Sequence, residues 1–230
     1  MLEPLKQDRQ PLIWWLLAAG IAAALKWHFS AADSQALSWM LRPLSLSLQG
    51  LTGWQFLRTP AGDWSSPDAG IVLVKACAGI NFMTMSFIGW CALLQPSAAR
   101  PVAWLLRLSA ALALAWFTAV IVNTLRVIGV VAWQPALQQW LAPAAAHRLI
   151  GLVIYLLALT GQLTQGEPRR LARAAVLGAA LYAGVMIGVP LITGNATASS
   201  PAYREHALMV LAIALPLGVA GITVRLLRVQ

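Results

Sequence analysis

Charge is what this chain has least of. Only 10% of its 230 residues are Asp, Glu, Lys or Arg, against 60% hydrophobic, with a mean hydropathy of +0.73. Soluble domains carry about 25% charged residues, so this composition excludes one and points to apolar runs of membrane-spanning length. Acidic residues are the scarcest, at 7 Asp+Glu against 16 Lys+Arg, a formal net charge of +9. None sits in the middle of an apolar run, which argues against a proton-coupled carrier. Two cysteines, Cys77 and Cys91, are too few for a disulfide scaffold, and no C-x-x-C pair is present to hold a metal or run redox chemistry. There is no Gly-rich phosphate loop, no H-E-x-x-H helix and no G-x-S-x-G elbow, which removes the common nucleotide, zinc-protease and serine-hydrolase readings. No internal repeat of the transporter kind is visible.

What is present is oily and punctuated by arginine. Six runs are long enough to cross a bilayer: about 12–29, 71–94, 102–121, 148–164, 172–192 and 206–224. The basic residues lie mostly between these runs, so they set topology and touch anionic head groups; nucleic acid is not the expected partner. Lys6 and Arg9 precede the first run, Arg100 and Arg107 flank the second turn, Arg169, Arg170 and Arg173 separate the fourth and fifth, and Arg225 and Arg228 end the chain. All of these clusters share one side if both termini are cytoplasmic. The first run also fits a signal-peptide core with a weak cleavage site at Ser30-Ala31-Ala32, which leaves the downstream orientation unchanged.

Residues 34–58 do not read as a span. Arg42-Pro43 is expected to split the segment, and Leu37, Leu41, Leu44, Leu48 and Leu51 recur at helical spacing between polar residues. That pattern suits an interfacial amphipathic helix or a re-entrant piece. As a span it would also move every later basic cluster to the opposite side. The next stretch, "RTPAGDWSSPDAG", reads as a polar outer loop carrying Asp63 and Asp68. The expected architecture is all-α: one polytopic integral membrane helical bundle over residues 1–230, with about six transmembrane helices plus the interfacial segment.

Three polar groups fall on the outer face in this topology. Cys77, in "VKACAGINFM", is expected about two turns into the second span. Asn123 and Arg126, three apart in "VNTLRVIGV", end the third. His147, in "AAAHRLIGL", opens the fourth. Ionisable side chains at membrane depth are costly, and function is the default reading for them. A thiol, a guanidinium and an imidazole suffice for acyl transfer. Cys77 attacks a peptide carbonyl as thiolate, helped by a helix start and by Lys75; His147 shuttles the proton; Arg126 holds the oxyanion or a substrate carboxylate. Ala76, Ala78 and Gly79 leave room beside the thiol, and Asn81 and Asn123 are supporting polar groups.

Each residue alone has an ordinary role as well. A membrane-helix cysteine is commonly small filler, which is the reading for Cys91. An arginine can snorkel to the interface, and a histidine can satisfy a carbonyl. Lys26 and His28 read as interfacial, and Trp14, Trp104 and Trp133 as aromatic-belt residues. His206 and Glu205 open the last span, and "NAT" at 195–197 matches a short glycosylation pattern.

The order "ACAG" around Cys77, "NTLR" ending in Arg126, then His147, over about residues 70–165, resembles the exosortase/archaeosortase family, and the short chain resembles its small members such as exosortase K. The resemblance implies a bacterial inner-membrane cysteine transpeptidase or protease with its site at the periplasmic face. It implies that Cys77 is the nucleophile, His147 the proton shuttle and Arg126 the electrostatic partner. Substrates would be exported proteins with a C-terminal motif, a transmembrane helix and a basic tail, cleaved for surface anchoring. No cofactor or metal is expected. The alternative is a small membrane transporter or binding protein using Arg126 and His147 in a polar path; a structural membrane subunit is a third class.

Overall fold

The structure, a computed structural model, describes residues 10–96, 101–165, 167, 170–192, 197 and 199–227. It is mostly helical. Five helices among the described residues are long and apolar enough to cross a membrane: Pro11–Ser30, Lys75–Leu93, Val102–Leu137, Pro143–Thr164 and Leu171–Leu191. Lys6, Arg9, Arg100, Arg169, Arg228 and Asn195 of the glycosylation pattern lie outside the described residues. The chain divides into two compact units, residues 1–124 and 125–230.

The first unit begins with α1 (Gln10–Ser30) and α2 (Ser38–Thr52). In α2, Met40, Leu41, Leu44, Ser45 and Leu48 are buried, one face at i, i+4 spacing, as the amphipathic pattern requires. Its 15 residues reach about 22 Å at ~1.5 Å each, too short to cross a ~30 Å hydrocarbon core. Pro43 does not split it. The proline removes one bond of the backbone ladder, and the helix runs on through it to Gly53.

The following polar stretch departs from the all-α expectation. Strands β1 (Leu57–Arg58), β2 (Trp64–Ser66) and β3 (Ile71–Leu73) form an antiparallel meander, paired Arg58 with Trp64 and Ser65 with Val72. The Pro and Gly residues that read as loop are the turn chemistry of two hairpins. Gly62 N–H donates to Thr59 O at 2.9 Å, and Gly70 N–H to Pro67 O at 3.2 Å. β3 also overturns the expected start of the second span at residue 71. A one-turn 3₁₀ helix (Lys75–Ala78) follows β3, and only then does α3 (Ile80–Leu93) begin.

α1 packs on α3. Trp14, expected at a membrane interface, is instead fully buried; its indole donates to Cys91 O at 3.1 Å and meets Trp104 edge-on at 6.2 Å. Cys91 is buried beside it, the apolar filler expected. Phe82, Met83, Met85 and Phe87 complete this core.

α4 (Pro101–Leu137) is continuous for 37 residues, where the sequence placed a span ending at 121. At ~1.5 Å per residue it is about 55 Å long, far more than a hydrocarbon core needs. Loss of apolarity ends a span, but nothing at Asn123 or Arg126 ends the helix. Arg126 therefore stands inside a helix, about 38 Å along it from Pro101.

The second unit contains the end of α4, then α5 (Pro143–Thr164), α6 (Leu171–Ala183), α7 (Val189–Ile192) and α8 (Pro201–Leu227). Pro143 at the first position starts α5 five residues before the expected span, which puts His147 in its second turn. α6 packs between α5 and α8. A π-wound turn (Gly184–Gly188) joins α6 to α7, because Pro190 has no N–H to give residue 186. Tyr203 O–H donates to the Ile187 carbonyl at 2.9 Å. α8 covers the expected sixth run, 206–224.

Outward faces of the long helices carry Leu16, Leu105, Phe117, Ile121, Leu157 and Leu208, all exposed. Water penalises such a surface and hydrocarbon does not, at about 1.5–3 kcal/mol per large side chain.

Candidate functional site

Cys77, Lys75, Asn81 and Asn123 belong to the first unit, and Arg126 and His147 to the second. Cys77 sits in the 3₁₀ turn ahead of α3, not two turns inside a helix, and is partly exposed. Its own N–H donates to Val74 O at 2.7 Å, closing the turn.

The turn ends at Gly79, whose φ of +69° lies in the left-handed region. A side chain there would be strained. It would also collide, since a methyl at Gly79 would lie 1.7 Å from Asn123 Nδ2. Asn123 is buried on α4 against the turn that carries the thiol. Glycine is thus required at position 79 by conformation and by space.

The end of α1 and the segment just after it hold the other side of the turn. Lys75 N–H donates to Ser34 Oγ at 2.9 Å, and its ammonium to the Ser30 carbonyl at 2.7 Å. The Lys75 charge, expected to serve the thiol, is engaged in joining the turn to α1. Lys26 donates to Asn81 Oδ1, a second link from α1 to the first turn of α3. α2 packs against the same turn. Sequence reading missed Ser30, Ser34 and Lys26 as supports. They lie more than 40 residues from Lys75 or Asn81 in the chain, and no local pattern marks them.

In the second unit, Arg126 and His147 meet. Arg126 Nη2 is 2.8 Å from His147 Nε2. A guanidinium offers only donors, so Nε2 accepts and the neutral imidazole carries its proton on Nδ1. Arg126 Nη1 donates to Tyr155 O–H at 3.4 Å, and its Cζ is 5.6 Å from the centroid of the Tyr155 ring, within cation–π range. Between these two partners lies Gly151, where a methyl would come within 2.8 Å of Arg126 Nε. His147, Gly151 and Tyr155 are spaced four apart and line one face of α5. Tyr182 of α6 stands behind Tyr155, ring centroids 6.5 Å apart. Next to His147, Arg148 pairs with Glu205 of α8 at 3.7 Å, the two groups being partly exposed.

Gly151 and Tyr155 escaped the sequence reading. Their signal was H-x₃-G-x₃-Y, one helical face, here packed against Arg126. Among the described residues no three His, Cys, Asp or Glu side chains converge as metal ligands. No protein-family model, curated protein or solved structure matches this chain.

Proposed function

We propose that this chain is an exosortase-like membrane cysteine transpeptidase or protease. Its substrates are exported proteins with a C-terminal motif, a transmembrane helix and a basic tail. Its setting is a bacterial inner membrane, with both termini cytoplasmic and the reacting residues at the periplasmic face.

The chemistry follows from the residue types. Arg126 turns from His147 to the substrate carbonyl oxygen, where charge develops, and this frees Nε2. His147 Nε2 takes the thiol proton, and Cys77 Sγ bonds to the carbonyl carbon. The tetrahedral oxyanion collapses, the C–N bond breaks, and the imidazolium returns its proton to the leaving amine. A thioester remains on Cys77 until an acceptor nucleophile attacks it, releasing the thiol.

The observation that supports the reading most is the 2.8 Å Arg126–His147 contact. The guanidinium and the imidazole that acyl transfer requires, 21 residues apart in the chain, share a hydrogen bond. The partly exposed thiol on a braced turn agrees with it, as does the burial of Cys91.

The test is co-expression with an exported protein bearing a motif–helix–basic tail, encoded by a neighbouring gene, with the substrate's mass followed. Loss of the tail with the wild type, and its retention with Cys77→Ala, Arg126→Ala or His147→Gln at equal membrane abundance, is the expected result. The new C-terminal mass identifies the acceptor. Tail removal by Cys77→Ala refutes the nucleophile; a tail kept by wild type and Cys77→Ala alike, for several candidate substrates and with the protein present in the membrane, favours the transporter reading.

A further inference from the structure

The value of Arg126 to an acyl transfer depends on where its guanidinium is held, and α5 holds it in a way ordinary packing does not require. A helix interior favours alanine over glycine, since glycine gives up more backbone freedom on folding. α5 nonetheless carries Gly151 where Arg126 crosses it, and the missing methyl is the volume that Arg126 Nε occupies, 2.8 Å from where that methyl would be. Gly161, in the same helix, has nothing within 4 Å of the equivalent point. One turn beyond Gly151, Tyr155 presents its ring and hydroxyl to the guanidinium. At 3.4 Å the hydroxyl contact is long, so the ring face, 5.6 Å from Cζ, contributes the larger share.

We infer that Gly151 and Tyr155 are positioning residues for Arg126, forming on α5 a slot that holds its Nε and Cζ while the Nη groups move between His147 and the substrate oxygen. This rests on the proposed role of Arg126 in acyl transfer. Gly151 acts through absent volume and Tyr155 through its ring; neither touches substrate. A guanidinium displaced by about 1 Å loses its alignment with a developing oxyanion, an effect on the order of 10²-fold in rate.

The test uses the full chain in lipid nanodiscs with ¹⁵N-labelled histidine, and needs no substrate. The chain has 3 histidines, and the His147 signals are those lost in His147→Gln. Wild type should show the tautomer protonated on Nδ1. Gly151→Ala should lose that tautomer while still unfolding cooperatively, whereas Gly161→Ala should keep it. Tyr155→Leu should lose it, and Tyr155→Phe should retain it. An unchanged His147 spectrum in Gly151→Ala, or in Tyr155→Leu should the first variant fail to fold, overturns the inference.

Turnover of the tailed substrate gives the second readout. Gly151→Ala should lower kcat by on the order of 10²-fold with KM little changed, because the lost interaction belongs to the transition state. Tyr155→Phe should retain about tenfold more turnover than Tyr155→Leu, in line with the ring's larger share of the contact. If Cys77→Ala and Arg126→Ala abolish cleavage but Gly151→Ala does not, the slot is refuted and the enzyme reading stands. If Cys77→Ala cleaves normally, the enzyme reading falls, and the histidine spectra alone judge the slot.

Discussion

Replacing Gly79 by alanine tests the bracing of the thiol turn, and the structure sets its magnitude. Two penalties add. The first is conformational, since a φ of +69° costs an L-residue about 1–2 kcal/mol. The second is steric: the new methyl would meet Asn123 Nδ2 at 1.7 Å, Cγ at 2.6 Å and Oδ1 at 2.8 Å. No small adjustment relieves three such contacts, so the amide must swing out of a site where Asn123 is only 1% exposed. Disturbing a buried amide costs about 1–3 kcal/mol. The expected loss for Gly79→Ala is therefore about 2–5 kcal/mol. In an Asn123→Ala background the obstruction is gone and only the strain of about 1–2 kcal/mol remains, a coupling a double-mutant cycle isolates. Thermal unfolding in detergent can be followed with a thiol-reactive fluorophore in a Cys77→Ala chain. There Cys91, fully buried, is the sole remaining thiol and reacts only on opening. Equal cost of Gly79→Ala in both backgrounds would refute the close approach of Asn123, and no cost in either would refute the left-handed turn.

Two further outcomes follow from the first unit. Trp14→Phe removes the donor to Cys91 O, 3.1 Å away, and keeps an aromatic ring near Trp104. It should lower stability by about 1–3 kcal/mol, read as an earlier midpoint in the same unfolding assay; no shift would place the indole elsewhere. Alkylation of the folded protein with iodoacetamide should modify Cys77 and spare Cys91, so Cys77→Ala removes the label and Cys91→Ala does not. Labelling that survives Cys77→Ala under native conditions would contradict the burial of Cys91.

The sequence read most reliably where alternatives were fewest. An apolar run near 20 residues has one backbone solution in hydrocarbon, so the run at 12–29 returned as α1, Gln10–Ser30, and that at 148–164 within α5. It read worst where apolarity and backbone conformation part company. Ile71, Val72 and Leu73 are as apolar as the helix they precede, and a three-residue strand has too little periodicity to separate from it. The end of α4 was missed for the opposite reason: Asn123 and Arg126 are polar, but neither stops a helix, and it continues to Leu137. Trp14 matched the aromatic belt by position and turned out to be core, because which side of α1 it occupies depends on α3.

By itself, then, the sequence determined the helical, membrane-compatible character of the chain and a short list of candidate side chains, since both are properties of residue type and local run length. Only the tertiary structure decided their company. It put Ser30 and Ser34 behind Lys75, Asn123 against Gly79, and Gly151 and Tyr155 around Arg126. Hydrogen bonds and steric exclusions at 2–4 Å arise between helices whose residues are far apart in the chain. No local pattern carries that distance; only the packing of one helix face on another sets it.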